Sequence, residues 1–178
     1  MTKDDILVES KRLIITRFTL DMAQLVHENS LDDDTRRFLS DEVFETVEDA
    51  RNAIDFLISQ YGNFEGPQVF PLITKEENQN IGYVQLVPLG DGKWEIGYHI
   101  AKKFTGRGYA TEAVKAFLPF IAEAAGIKEV YGICVKENIA SKRVLEKCGF
   151  EKVYEGLGDY KGERHEIYKG LWKGKTQD

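Results

Sequence analysis

The sequence predicts an α/β fold of the α+β type, with a mixed, mostly antiparallel central sheet of six or seven strands flanked by about four helices. Two observations support this prediction. Three apolar segments between residues 69 and 100 are joined by short turns, which is typical of antiparallel hairpins. A helical segment then connects two apolar segments, and such a crossover makes its two strands parallel. The length of 178 residues favours a single domain over residues 1–178.

Composition excludes several classes of protein. The formal charge of −6 argues against direct nucleic-acid binding, which requires a basic face. No apolar run approaches the roughly 20 residues of a membrane span, so we expect no membrane partner. The first residues carry early acids and lack the apolar core of a signal peptide. Cys134 and Cys148 are too few for a disulfide framework, which predicts reduced thiols in the cytoplasm.

The first elements are short. Residues 1–10 have no clear pattern and predict a ragged start, whereas residues 12–18 are rich in β-branched side chains and predict a strand. A short helix is expected over residues 19–26. Metal binding and helix capping are both conceivable for the acids at 32–34, but no Gly or Glu follows at calcium-loop spacing. We therefore expect a solvated, helix-capping turn there.

A longer helix and three strands follow. Thr46 is a suitable N-cap, apolar residues recur at helical spacing, and Gly62 ends the helix. The predicted strands cover 69–74, 81–87 and 93–100.

The second half of the chain alternates helices and strands. A helix over 110–124 leads to a strand at 129–135, which is expected to lie parallel to the strand at 93–100. A short helix over 138–147 and a hairpin around residues 160–162 complete the prediction.

The segment Thr105-Gly106-Arg107-Gly108-Tyr109-Ala110 has the chemistry of a phosphate-binding turn. Its glycines allow the backbone to approach a ligand, and the next helix directs free N–H groups at the turn. A P-loop is excluded because no GKS or GKT triplet occurs. A dinucleotide-binding turn fits poorly because Thr111 occupies the third glycine position. An isolated GxG would favour a simple structural turn. A second motif is therefore needed to decide whether this turn binds phosphate.

That second motif is NIASKRVLEKCGF at 138–150. Together with EIGYHI at 95–100 and GRGYATEA at 106–113, it resembles the GNAT superfamily of N-acetyltransferases. Within the superfamily, the chain is similar to the ribosomal-protein alanine acetyltransferases. The resemblance implies acetyl-CoA as cosubstrate, no metal, and a splay between two parallel strands that admits the coenzyme.

The resemblance also implies roles for individual residues. Leu145 stands where many relatives have a tyrosine acid, and Thr105 replaces a Gln or Arg of the family's turn. Ser141 resembles a serine that lies near the coenzyme sulfur. The residues implied to bind the coenzyme are Ile100, Thr105, Gly106, Arg107, Gly108, Tyr109, Ala110, Thr111, Asn138 and Ser141.

Candidate bases lie on the strand before the turn. By the alternation of side chains, Glu95, Gly97 and His99 share one face of this strand. Glu95 or His99 could take a proton from an attacking amine, directly or through water, with Ser141 as a third candidate catalytic residue. The competing interpretations are that Glu95 forms an ion pair and that His99 is a hydrogen-bonded core residue.

Three functions remain open at this point. The first is transfer of an acetyl group to a primary amine, either a protein N-terminus or a small molecule, by direct attack. The second is a catalytically silent acyl-CoA-binding regulatory module, and the third is a dinucleotide-dependent oxidoreductase. Phe38, Leu39 and Phe64 are expected near the amine's pocket, and a homodimer is compatible with the sequence.

Overall fold

The structure, a computed structural model, describes residues 6–174, which form one eight-stranded sheet with five α-helices. The strands are β1 (Ile6–Glu9), β2 (Leu13–Thr16), β3 (Gln68–Thr74), β4 (Asn80–Gly90), β5 (Lys93–Ile100), β6 (Glu129–Val135), β7 (Glu151–Tyr160) and β8 (Glu163–Lys173). The α-helices are α1 (Ala23–Ser30), α2 (Asp33–Phe38), α3 (Val47–Gln60), α4 (Tyr109–Ala125) and α5 (Ile139–Lys147). Short 3-10 helices cover Leu20–Met22, Ser40–Glu42 and Lys102–Phe104.

The sheet is mixed, and one pair of its strands is parallel. Its strand order is β1-β2-β3-β4-β5-β6-β8-β7. Neighbouring strands are antiparallel except β5 and β6, which are joined by the crossover through α4. The predicted fold class, a mostly antiparallel sheet containing one parallel pair, is confirmed.

The element count differs from the expected six or seven strands and about four helices. Of the start that was predicted to be ragged, residues 1–5 lie outside the described residues, whereas residues 6–9 form β1, which pairs with β2. Four residues are too few to display a clear alternation, and pairing with β2 rather than local preference produces the strand. The additional helix is α2. The Asp32 side chain accepts hydrogen bonds from the N–H groups of Asp34 and Thr35, which confirms the predicted capping turn.

The two faces of the sheet carry different helices. In β4, Val84 belongs to the cluster packed under α4, whereas its neighbour Tyr83 packs with residues of α1 and α3. Adjacent strand residues point to opposite faces, so α4 covers one face and the pair α1–α3 covers the other. The face under α1 and α3 is the one that carries Glu95 and His99 in β5.

The parallel strands separate along their length. β5 and β6 share one registered pair, Glu95 with Tyr131, although β5 continues to Ile100 and β6 to Val135. Beyond that pair, the two strand edges do not bond to each other. Unpaired N–H and C=O groups at a strand edge can pair with an extended ligand. This is the predicted splay.

Candidate active site

A cleft of about 1180 Å³ occupies the splay and continues across the sheet face beneath α1 and α3. The structure brings together around it all the candidate catalytic and coenzyme-binding residues predicted from the sequence except Arg107, whose guanidinium lies 5.6 Å from the centre of the Phe104 ring. The predicted residues that line it are Glu95, His99, Ile100, Thr105, Gly106, Gly108, Tyr109, Ala110, Thr111, Asn138 and Ser141.

The glycine turn forms one end of the cleft. Gly106 and Gly108 have φ angles of 75° and 80°, in the left-handed region that favours glycine. Gly108 is also the N-cap of α4, and no side chain caps this 17-residue helix. The first N–H groups of α4 therefore have no capping side chain and can receive an anion, favoured by the positive end of the helix dipole.

An ion pair anchors this turn to the start of the chain. Arg12 Nε lies 2.6 Å from Glu112 Oε2, and Arg12 Nη1 donates to the carbonyl of Arg107 at 3.0 Å. Ser10 Oγ donates to Glu112 Oε1 at 2.7 Å. Burial opposes ionisation of Glu112, but the hydrogen bonds from Ser10 and Arg12 hold the pKa of Glu112 below its usual value. Glu112 thus fixes the geometry of the first turn of α4.

We expect Glu112→Gln to lower the free energy of unfolding by about 2 kcal/mol, because hydrogen bonds to a charged acceptor are lost. A carboxyl whose pKa is depressed on folding stabilises the protein above its unfolded pKa of roughly 4.3 and loses this effect on acidification. The difference between wild type and variant should therefore shrink as the pH falls through this range in urea titrations. Glu123→Gln, at an exposed position of α4, is the control and should change little.

At the other wall of the cleft, α5 begins with a network of hydroxyl groups. Asn138 is the N-cap, and its side chain accepts a hydrogen bond from Ser141 N at 3.0 Å. Ser141 Oγ lies 2.8 Å from Tyr98 Oη, which also donates to the Ser141 carbonyl at 3.0 Å. Burial raises the pKa of Tyr98, so its hydroxyl remains protonated. Two neutral hydroxyls therefore lie side by side on the wall of the splay.

Leu145 does not provide a polar group to the cleft. It is 1% exposed, and its side chain fills the space over Gly132 of β6, where a Cβ would lie 2.3 Å from Leu145 Cδ2. The cysteines are also packing residues: Cys134 and Cys148 are buried and unpaired, and burial raises the pKa of each thiol to about 11. These side chains are not suited to act as acids or nucleophiles at neutral pH.

Glu95 is the titratable group whose properties best fit proton transfer. Burial raises the pKa of Glu95 to about 7, with Lys161 opposing the shift and Glu42 adding to it. A carboxyl group with this pKa is about half ionised at neutral pH and can accept a proton from a neighbouring donor.

His99 is 8% exposed and already hydrogen bonded. Its Nε2 lies 2.9 Å from Thr35 Oγ1, which donates its single proton to Asp32 Oδ2 at 2.7 Å. Nε2 must therefore be the donor to Thr35. Burial lowers the pKa of His99, although Asp32 opposes the shift. A neutral ring with a committed Nε2 corresponds to the core interpretation of this histidine.

Beyond Glu95, the 38–42 segment and the β7–β8 hairpin meet across the cleft. Glu42 Oε1 accepts from Gln85 Nε2 at 3.2 Å and lies 3.5 Å from Lys161 Nζ. Tyr160 Oη donates to the carbonyl of Phe38 at 3.4 Å. Phe38 and Leu39 line the cleft as expected, whereas Phe64 packs against the core cluster under α4.

No sequence pattern indicated a role for Arg12, Glu42, Tyr98 or Lys161. Their partners lie far away in the chain, and no spacing rule connects them. One local signal was available at Lys161: a lysine opens the two-residue hairpin turn before Gly162, a position that favours Asn, Asp or Gly.

Neither a metal cluster nor a membrane-spanning helix is found between residues 6 and 174. In this range, no three His, Cys, Asp or Glu side chains are grouped so as to hold a metal ion. No helix in it is long and apolar enough to cross a bilayer.

Known proteins resemble this chain over most of its length. N-acetyltransferase YnaD of Bacillus subtilis is 30% identical over 146 residues, covering 82% of each chain. N-acetyltransferase p20 of Bacillus licheniformis is 26% identical over 166 residues, covering 89% of this chain and 91% of the relative.

Solved structures agree in fold. The GNAT-family acetyltransferase from Bacillus anthracis is 27% identical, covers 93% of this chain and 97% of its own, and superposes with a TM-score of 0.77. RimL, a ribosomal L7/L12 alpha-N-protein acetyltransferase in complex with coenzyme A, has a TM-score of 0.80 at 17% identity, covering 95% and 98% of the two chains. At that identity, the likeness to RimL shows the fold alone.

The family assignment rests on a match over most of the chain. A family model described as "Acetyltransferase (GNAT) domain" matches residues 12–151. The chain therefore belongs to the GNAT family of acetyltransferases and is an acetyl-CoA-dependent acetyltransferase.

Proposed function

We propose that the enzyme transfers the acetyl group to a primary amine by direct attack, with Glu95 as the general base. The observation that carries this proposal is the position of Glu95: a buried carboxyl with a pKa of about 7 on the wall of the cleft, at the point where β5 and β6 part. An amine arrives mostly as an ammonium ion and must lose a proton before it attacks. Glu95 accepts that proton, directly or through water.

The glycine turn and the strand edge would hold the cosubstrate. Backbone N–H groups from Thr105 to Thr111 would bind its pyrophosphate, with Arg107 adding positive charge. The unpaired edge of β5 near Ile100 would pair with the pantetheine amides, and Asn138 would border the same arm. When bound, acetyl-CoA supplies an acetyl thioester, whose C–S bond breaks as the new C–N bond forms.

The hydroxyl pair formed by Tyr98 of β5 and Ser141 of α5 would serve the leaving sulfur. Tyr98 Oη donates its single proton to the Ser141 carbonyl and lies 2.8 Å from Ser141 Oγ, so it would position the Ser141 hydroxyl to donate a hydrogen bond to a developing thiolate. Direct attack relies on positioning and needs no covalent intermediate on the protein, and the two buried cysteines are not suited to form one.

Both classes of acceptor predicted from the sequence, a protein N-terminus and a small-molecule amine, supply a primary amine from which Glu95 could accept a proton. Among proteins of the same fold, the RimL structures are named for acetylation of ribosomal L7/L12, and MccE for self-immunity to microcin C7. A cytoplasmic location is part of this proposal, and it is supported by two cysteines that form no disulfide.

The test is a thiol-release assay with acetyl-CoA and a panel of N-terminal peptides and small primary amines. We expect release that depends on the amine and yields an N-acetylated product by mass spectrometry. Reactions without amine give the background of simple hydrolysis. Tight binding of acetyl-CoA without turnover over the whole panel would refute amine acetylation and support the silent binding module instead.

Removing either hydroxyl next to the leaving sulfur should lower kcat by about tenfold, the effect of one hydrogen bond of about 1.4 kcal/mol. The variants are Tyr98→Phe and Ser141→Ala, measured singly and together. Because the hydroxyls act as a pair, the double variant should be little worse than either single one. Tyr154→Phe, at an exposed tyrosine bonded to the Leu157 carbonyl, is the control. Fully additive losses would contradict a shared role.

A further inference from the structure

The amine end of the cleft contains a carboxylate with an unused oxygen. Glu42 lies in the 3-10 helix Ser40–Glu42 and lines the cleft. Its Oε1 accepts from Gln85, whereas Oε2 is shielded from solvent and has no hydrogen-bond partner among residues 6–174. Burial raises the pKa of Glu42, although Lys161 opposes the shift. Leaving a buried acceptor unsatisfied is costly, so a cationic donor on a ligand would relieve this cost.

Lys161 reaches Glu42 from a strained position. Lys161 and Gly162 form the two-residue turn between β7 and β8, with φ angles of 54° and 83°. At the equivalent turn between β4 and β5, the chain uses Asp91 and Gly92, with φ angles of 52° and 71°. Asp is favoured at such a position, whereas the left-handed conformation is unfavourable for lysine. The contacts of its side chain give a reason for lysine at 161.

Those contacts hold an ammonium among carboxylates. Lys161 Nζ forms an ion pair with Asp41 and lies 3.5 Å from Glu42 Oε1, and its charge also acts on Glu95. One ammonium thus faces three carboxylates at this end of the cleft. Lys169 of β8 is the other cation that acts on Glu95. Its Nζ lies 4.2 Å from the centre of the ring of Tyr131, which belongs to β6.

We propose that Glu42 is a cation subsite beside the reacting amine, that Lys161 fills it until the acceptor arrives, and that the preferred acceptor therefore carries a second ammonium or guanidinium group. The inference rests on the proposed transfer to an amine. The second cation of the acceptor displaces Lys161 Nζ and donates to Glu42 Oε2. The reacting amine then lies next to Glu95.

The first test compares α,ω-diamines of three to five carbons with monoamines of the same length. For wild type, we expect kcat/KM for 1,4-diaminobutane to exceed that for 1-aminobutane by about tenfold or more, the effect of one partly buried ion pair. Glu42→Gln keeps an acceptor for Gln85 but removes the charge, and should bring this ratio close to one. A ratio near one in wild type would overturn the subsite.

The second test removes the internal ammonium. Lys161→Asn places a favoured residue in the turn, so the hairpin should be at least as stable as in wild type. Because a tethered competitor is lost, KM for 1,4-diaminobutane should fall several-fold, and Lys161→Arg should restore the wild-type value. Lys75→Asn is the control, because Lys75 pairs with Glu9 and does not line the cleft. An unchanged or higher KM in Lys161→Asn would refute displacement of Lys161.

Binding measurements separate this inference from the proposed function. Titration calorimetry of both amines into the complex with coenzyme A needs no turnover. If no amine releases thiol but 1,4-diaminobutane binds more tightly than 1-aminobutane in a Glu42-dependent way, amine acetylation is wrong and the subsite is supported. If both amines are acetylated equally and Glu42→Gln changes nothing, amine acetylation is supported and the subsite is refuted.

Discussion

Gly108→Val is expected to raise KM for acetyl-CoA by about a hundredfold, corresponding to the loss of one or two charge-assisted hydrogen bonds to phosphate. Gly108 lies at the N-terminus of α4 with a φ of 80°, and the nearest neighbour of an added Cβ is Arg12 Nη2 at 3.7 Å. The space in front of this position is therefore open to a ligand, and a valine side chain would project into it. Its branched Cβ would also displace the N–H groups of the turn.

The control for this variant is at the other end of the same helix. Gly126 is the C-cap of α4, with a φ of 67° and open space around it, and it does not line the cleft. Gly126→Val introduces the same kind of backbone strain and should lower stability without raising KM. Initial rates at varied acetyl-CoA, together with calorimetric Kd values, give the comparison. If Gly108→Val binds acetyl-CoA normally, the pyrophosphate does not lie in this turn.

Glu95→Gln should lower kcat/KM for the amine by about 10²–10⁴, the usual contribution of a general base. Because Glu95 must be ionised to accept a proton, the wild-type rate should fall about tenfold per pH unit below pH 7. This fall in rate below pH 7 should be absent from the pH–rate profile of Glu95→Gln. Rates measured from pH 5.5 to 9 with one amine would show both effects.

Stability measurements can separate the loss of activity in Glu95→Gln from unfolding of the variant. A carboxyl whose pKa is raised on folding destabilises the protein as the pH increases from its unfolded value to its folded value. Glu95→Gln removes that penalty, so the variant should be at least as stable as wild type above pH 7. His99→Gln is the comparison, because Nε2 of His99 is committed to Thr35, and it should lose less activity. A larger loss in His99→Gln than in Glu95→Gln would assign the base to the histidine.

Much of the cleft could be predicted from local sequence patterns. The glycines at 106 and 108 indicate a left-handed turn, because other residues avoid that conformation. Asn138 indicates a helix start, and alternation along β5 places Glu95 and His99 on one face. Each inference depends on residues within a few positions of one another, where backbone preferences alone restrict the conformation.

The sequence carries no information on the surroundings of the two candidate bases. Thr35, which accepts a hydrogen bond from His99 Nε2 and donates to Asp32, lies on a different element, and its contact with His99 depends on how α2 packs over β5. The pKa of Glu95 likewise follows from burial and from the charges of Lys161 and Glu42, which tertiary packing sets.

The amino-acid sequence by itself indicates the secondary-structure elements, the phosphate-type turn and the resemblance to acetyltransferases. These follow from periodicity and glycine placement, which act over a few residues. The tertiary structure alone decides which hydroxyl pair borders the splay and which cation meets Glu42. Tyr98 and Ser141 are 43 residues apart, and Lys161 and Asp41 are 120 apart. Such contacts form because sheet order and helix packing bring distant segments together, and no local preference specifies them.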